Sequence, residues 1–242
     1  MHKILIVVNL QNLWTPSKSN QMSQRIDIIN KIRDIRVMPL FYHPDPDISL
    51  QVMQAVFDGG LDLMEFTNRG PNAYNVFEKL YAFKSKNYPN AALGIGSIVD
   101  APTAAQYIQA GADFVVSPLL NQEVIRVCNR RKILHIPGCS TLSEISQAEE
   151  WGAEMVKVFP AAQLGGPAFI KAIKGPCPWT SIVVTGGVKA DLDNLKAWHD
   201  AGVDGFGIGS DLISKDLIKE GNYAGLTSKV QELLSIIAKL RD

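Results

Sequence analysis

One local pattern recurs four times along the chain, and it limits the folds open to it. A helix-forming segment runs into a glycine, a small or apolar residue and an acid (or its neighbour), and a strand-like run follows. The copies read "DGGLDLMEF", "QAGADFVVS", "EEWGAEMVKVF" and "DAGVDGFGI". Gly60, Gly111, Gly152 and Gly202 stand where a helix would end in a left-handed turn, a conformation glycine adopts without a Cβ penalty. A strand that follows a helix in this way runs parallel to its predecessor. Reading the rest of the chain gives eight strand candidates, at 37–42, 61–66, 92–96, 114–116, 132–137, 155–159, 181–185 and 205–208. Their starts lie about 18–31 residues apart, room for one strand and one returning helix. Helical patterns such as "ISLQVMQAVF", "PTAAQYIQA", "NQEVIRVCNR" and "ADLDNLKAWHDA" lie between them. The expectation is an α/β fold, a single (β/α)₈ TIM barrel. A doubly wound open sheet is the alternative, but no GxGxxG follows the first strand.

The 242 residues show no linker-like shift in composition, which favours one barrel domain over 23–242. The run "MSQRIDIINKIRDI" places Ile26, Ile29, Ile32 and Ile35 at helical spacing, an amphipathic helix ahead of the first strand. Residues 1–22 form a short N-terminal arm of unknown role. Its apolar run "ILIVVNL" is too short to span a bilayer and lacks the small residues of a signal-cleavage site. Basic and acidic residues balance at 24 each with no basic block, so neither nucleic acid nor membrane is expected as a partner. Cys128, Cys139 and Cys177 are odd in number and form no CxxC, which fits a reducing, cytoplasmic setting.

The stretch "EMVKVFP" puts a lysine inside an apolar strand. Alternation gives Met155, Lys157 and Phe159 one face and Val156 and Val158 the other. In a barrel one of those faces points into the core. Lys157 falls near the C-terminal end of its strand, where barrel enzymes carry their chemistry. Reading the other strands to the same end collects Glu65, in phase with Leu61 and Leu63, then Arg69 and Ser97. Ser117-Pro118 and "HIPGCST" follow, and the last two strands end in "TGGV" and "GIGSDL". Gly186, Gly187, Gly207 and Gly209 leave backbone N–H groups unobstructed, and Ser210 adds a hydroxyl at the start of a short helix. Loops after strands seven and eight form the recurrent phosphate site of this barrel. A lysine held out of water loses pKa and gains nucleophilicity, as a Schiff base requires. Beside it Glu65 suits proton transfer, the alternative being a structural ion pair.

Other candidates have plainer readings. His43, Asp45 and Asp47 in "FYHPDPD" make a turn and a helix cap, with a metal site as the alternative. His135 reads as a packed strand histidine and His199 as a helix-surface one. Cys139 lies near the rim without a neighbouring base, and Trp151, Trp179 and Trp198 read as core or helix-packing residues.

In order, "EFTNRG", "GIGS", "SP", "IPGCST", "KVFP", "TGGV" and "GIGS" resemble the class I 2-keto-3-deoxy-6-phosphogluconate (KDPG) and 4-hydroxy-2-oxoglutarate (KHG) aldolases over about residues 23–240. The resemblance implies a (β/α)₈ barrel, a homotrimer, and cleavage of a phosphorylated 2-keto acid to pyruvate and glyceraldehyde 3-phosphate. By the same resemblance Lys157 is the Schiff-base lysine, Glu65 the general acid/base and Arg69 the ligand of the substrate carboxylate. Thr185, Gly186, Gly187, Gly209 and Ser210 form the phosphate site, while Pro118, Pro137 and Gly138 shape the pocket. Ser97 replaces the usual threonine of "G-x-G-T", and Leu119 stands where many relatives have glycine. No metal or cofactor is implied, since the iminium itself activates the carbonyl. Which keto acid is preferred stays open among KDPG, its galactonate counterpart and hydroxyoxoglutarate. The rival readings are another phosphate-binding barrel isomerase or synthase, and a non-catalytic barrel.

Overall fold

The computed structural model describes residues 25–240, and the arm over 1–22 lies outside them. The elements run α1 (Arg25–Ile35), β1 (Val37–Phe41), α2 (Pro46–Asp58), β2 (Leu63–Thr67), α3 (Ala73–Asn87), β3 (Ala92–Gly96), α4 (Ala101–Gln109) and β4 (Phe114–Val116). They continue through α5 (Gln122–Arg131), β5 (Leu134–Ile136), β6 (Gly138–Cys139), α6 (Leu142–Glu150), β7 (Val156–Val158), α7 (Pro167–Lys174) and β8 (Ile182–Thr185). The last are α8 (Leu192–His199), β9 (Gly205–Ile208), α9 (Lys215–Lys219) and α10 (Tyr223–Lys239).

All neighbouring strands pair in parallel, in the order β5-β4-β3-β2-β1-β9-β8-β7-β6. The two edge strands, β5 and β6, are consecutive pieces of chain separated by Pro137 alone. The sheet therefore closes on itself, and the fold is the expected barrel. The stave read as one strand over 132–137 is two. Proline has no N–H to give the ladder, and pairing changes sides there. Ser117 N donates to the Ile136 carbonyl at 3.1 Å, and Lys157 N donates to that of Pro137 at 2.8 Å.

Alternation sorts the side chains into two layers. Met38, Leu63, Ala92, Phe114, Leu134, Met155 and Val183 fill the barrel interior, while Val37, Met64, Leu93, Val115, Val156 and Val184 pack against the helices. Leu61, expected inward with Leu63, precedes β2 and joins the outer layer. Helix α1 closes the bottom of the barrel with Ile28, Ile29 and Ile32, which pack on the interior cluster. Burying each contributes about 1.5–3 kcal/mol. Ile26 departs from the predicted buried face, being 65% exposed.

The recurring glycines turn as expected, with φ of 104° at Gly60, 103° at Gly111 and 92° at Gly152 and Gly202. The acids beside them prove to be the barrel's lower clasp. Asp62 pairs with Lys31, Glu154 with Arg25, Asp204 with Arg33 at 3.7 Å, and Asp113 with buried Lys84 at 2.9 Å. Three of those cations belong to α1, so the helix that plugs the barrel also carries the charges that ring it. Asp113 and Asp204 additionally accept the backbone N–H groups of Leu93 and Ile182, each at 2.8 Å.

Trp198 is buried as predicted, but Trp179 is 72% exposed. It lies in the connection between α7 and β8, outside any element. His199 closes α8 half-buried rather than on the open surface, with Nδ1 2.6 Å from the Arg36 guanidinium.

Candidate functional site

At the C-terminal rim the inward positions carry the polar side chains. Lys157 is 6% exposed and pairs in register with Gly138 on β6 and Val183 on β8. Its Nζ lies 4.9 Å from the centroid of the Phe159 ring, two residues on along the same face. Burial holds the ammonium below its usual range, Glu65 draws it back up, and Arg69 pushes it down.

Glu65, 1% exposed, is the inward residue of β2. Burial raises its carboxyl above the ordinary range against the pull of Lys157 and Arg69. Its Oε2 is buried with no hydrogen-bond partner among the described residues. Neither a surface carboxylate nor a satisfied structural ion pair looks like this, because a buried orphan oxygen costs about 1–3 kcal/mol. The opposing strand leaves space for it. A Cβ on Gly96 would stand 1.7 Å from Glu65 Oε1, so only glycine fits beneath the carboxylate.

Arg69 follows β2 in a turn that other residues hold. Its own N–H donates to the Thr67 carbonyl at 2.9 Å, and Asn68 N donates to Gly96 O at 2.8 Å. The Asn68 Oδ1 accepts from the hydroxyl of buried Tyr107 at 2.9 Å. Gly70 sits on the Tyr42 hydroxyl, where a Cβ would come within 2.6 Å.

A cavity of about 970 Å³ opens over this rim. Arg69, Thr185, Gly186, Gly187, Gly209 and Ser210 line it, as does Phe159. Lys157, Glu65, Ser97, Pro118, Pro137 and Gly138 are not on its wall. Phe159, which the amine stacks upon, and Thr67, two residues along the inward face from Glu65, connect the two groups. Thr185 Oγ1 is buried at the cavity floor without a partner among the described residues, packed on Gly207, where a Cβ would approach it to 2.3 Å. Gly186 and Gly187 hold φ of 92° and 82° and rest on the segment after β7, the Gly186 carbonyl accepting from Ala162 N at 3.0 Å. Ser210 lies in a turn, not at a helix start. The helix begins at Lys215, so its dipole does not reach the serine.

The residues expected to shape the pocket lie off the cavity wall, and two of them meet through backbone. Gly138 packs on Pro118, where a Cβ would come 2.3 Å from the carbonyl carbon. Ser97 leaves β3 with φ 61°, a left-handed conformation that penalises a β-branched residue most. Serine, unbranched at Cβ, therefore suits this turn better than a β-branched residue would. Leu119, expected to stand in place of a glycine, stays out of the left-handed region.

Residues 43–47 form the expected cap: Asp45 Oδ1 accepts from Asp47 N and Ile48 N, and His43 Nδ1 accepts from Asp45 N. His135 is the packed histidine foreseen, facing the helices, with Nε2 2.8 Å from Ser117 Oγ and burial pushing its pKa down to about 3. Burial pushes the Cys139 thiol up to about 12, which removes it as a nucleophile. Sequence reasoning missed His43, Lys189, Lys215 and Lys219 as cavity residues. It also missed Phe159 as the amine's platform, although the alternation that placed Lys157 placed Phe159 beside it.

Comparison with known proteins identifies the family. The family model for KDPG and KHG aldolase matches residues 28–229. A 2-dehydro-3-deoxy-phosphogluconate aldolase of Haemophilus influenzae is 30% identical over 211 residues, 87% of this chain and 96% of that protein. One from Treponema pallidum is 32% identical over 214 residues, 88% of this chain and 98% of that one. The crystal structure of a KDPG aldolase from Legionella pneumophila, with pyruvate captured at low pH as a covalent carbinolamine intermediate, aligns with a TM-score of 0.77. It is 26% identical and covers 85% of this chain and 97% of its own. The chain belongs to the KDPG and KHG aldolase family, and it is an aldolase, a lyase.

Proposed function

We propose that this aldolase cleaves 2-dehydro-3-deoxy-6-phosphogluconate to pyruvate and glyceraldehyde 3-phosphate through a Schiff base at Lys157. The observation that carries the reading is a desolvated amine on the barrel's inner face beside a desolvated carboxyl, below a cavity walled by glycine turns. The neutral Lys157 Nζ attacks C2 of the keto acid, and loss of water from the carbinolamine gives an iminium. Glu65 takes the C4 hydroxyl proton, through water. The C3–C4 bond breaks, its electron pair flows into the iminium, and the aldehyde leaves. The enamine is protonated at C3, and water releases pyruvate and returns the amine. Arg69 holds the substrate carboxylate, with Ser97, Pro118, Pro137 and Gly138 shaping the pyruvyl end. Thr185, Gly186, Gly187, Gly209 and Ser210 receive the phosphate through backbone N–H and hydroxyl donors. No step calls for a metal or cofactor, because the iminium is the electron sink.

We place the enzyme in the cytoplasm as a homotrimer. Free thiols at Cys128, Cys139 and Cys177 suit a reducing compartment, and sedimentation equilibrium tests the assembly. The decisive experiment for the chemistry is borohydride trapping with pyruvate. Wild type gains a pyruvyl adduct at Lys157, and Lys157→Met gains none and loses aldol cleavage. An adduct on another lysine, or cleavage that survives in Lys157→Met, removes the assignment.

A further inference from the structure

The cavity extends past the glycine turns, and its outer wall is strongly cationic. Lys189, Lys215 and Lys219 line it together with His43, and Arg69 lies on the same wall. The one acid on the wall among the described residues, Asp211, is engaged: its Oδ2 accepts from Ala190 N at 2.6 Å. That bond ties the loop after β8 to the loop after β9. The Lys189 N–H donates to Asn194 Oδ1 at 2.9 Å, so the backbone that carries Lys189 is fixed on both sides. Lys215 and Lys219 are four apart on α9 and share one face. None of the three amines has a hydrogen-bond or ion-pair partner among the described residues. Like charges spaced in this way disfavour α9 slightly, while Asp216 in its first turn and Lys219 in its last suit the helix dipole.

We propose that Lys189, Lys215 and Lys219 form a cationic vestibule that selects a substrate ending in a dianionic phosphate ester over one ending in a carboxylate. This rests on the aldolase reading above and bears on the choice it leaves between a phosphorylated keto acid and hydroxyoxoglutarate. The glycine turns and Ser210 present neutral donors, which bond to phosphate and carboxylate oxygens alike. A phosphate ester carries about −1.5 to −2 at neutral pH against −1 for a carboxylate, and Coulombic attraction grows with that charge. The second charge is therefore read by cations outside the cradle. A cleft lined by one sign of charge focuses its field and raises capture of the opposite sign by about 10-fold or more at low salt.

The test compares wild type with the triple variant Lys189→Gln, Lys215→Gln, Lys219→Gln, using glycerol 3-phosphate as an unreactive probe in calorimetry. The triple variant is expected to bind it about tenfold more weakly at about 20 mM salt, the gap closing toward twofold at about 0.5 M, where charges are screened beyond a few ångströms. Each single variant carries its share, about twofold. In kinetics the ratio of kcat/KM for the phosphorylated keto acid to that for hydroxyoxoglutarate falls by a similar factor. Equal affinity in wild type and triple variant, no binding by wild type, or an equal loss on both substrates overturns the proposal. Pyruvate trapping at Lys157 judges the aldolase reading by itself. Were that to fail, the calorimetry would still decide whether the vestibule binds phosphate.

Discussion

Gly96→Ala tests the site at its tightest point. Gly94 and Gly96 are the inward residues of β3 after Ala92, and neither lies in the left-handed region, so alanine suits the backbone at both. What each lacks is room. An alanine Cβ at 96 would lie 1.7 Å from Glu65 Oε1 and 2.5 Å from its carboxyl carbon, whereas real contacts do not fall below 3.0 Å, so the oxygen must retreat by at least about 1.3 Å. Glu65 is 1% exposed and has nowhere open to go. Overpacking of this kind costs about 1–3 kcal/mol, a Tm lower by about 2–12 °C in a domain of this size. Displacing a catalytic group by about 1 Å costs on the order of 100-fold in rate. Gly94→Ala is the control, because its Cβ would strike the Phe114 ring at 2.2 Å and leave Glu65 alone. Both variants should lose stability in thermal melts. Only Gly96→Ala should lose about 100-fold in kcat for aldol cleavage. Activity of Gly96→Ala within threefold of wild type, or an equal loss in Gly94→Ala, would refute the argument that the carboxyl's position is what the glycine protects.

Glu65→Gln should move the acid limb of pyruvate-adduct formation to lower pH. The amine attacks only when neutral, so the rate falls as pH drops through the Lys157 pKa, which already lies below 10.5. Glu65 raises that pKa by attraction, and removing its charge lowers it further. A limb that stays put or climbs would mean the two groups are not coupled. Tyr107→Phe removes the hydrogen bond to Asn68 that steadies the Arg69 turn, and it should raise KM for the keto acid several-fold with kcat little changed. A fall in kcat alone would place Tyr107 elsewhere in the reaction. Arg25→Ala removes contacts to Glu154, Asn129 and the Gly152 carbonyl and should cost about 1–2 kcal/mol in denaturant unfolding. The exposed pair Arg126–Glu123 should cost under about 1 kcal/mol when Arg126 is truncated. Equal effects would show that the clasp at the base of the barrel contributes no more than a surface pair.

Local periodicity made most of the barrel readable. Helix, glycine turn and strand alternate over short windows, and two-residue alternation fixes which side chains face in, so the inward positions of Lys157 and Glu65 follow from local pattern alone. The same reasoning could not find the break at Pro137, because a proline inside an apolar run shows that one hydrogen bond is lost but not which neighbour each half keeps. Nor could it see that Asn68 meets Tyr107, 39 residues away, or that Asp62, Glu154 and Asp204 all turn toward α1. These are contacts between units, and the repeat describes only what happens within one.

The lysines at the cavity mouth show the other limit. On α9, Lys215 and Lys219 have the spacing of an ordinary solvated helix face, and in sequence Lys189 is a loop charge after a glycine pair. Their meaning depends on closure of the sheet. Because β8 and β9 are adjacent staves, their following loops must share one rim, and charges 26 residues apart face one space. The residues to which we assign the chemistry are held by strands and announce themselves by breaking an apolar pattern. The lysines proposed to choose among substrates sit on loops and a short helix, where a charge breaks no pattern, and only the three-dimensional closure brings them to one cavity.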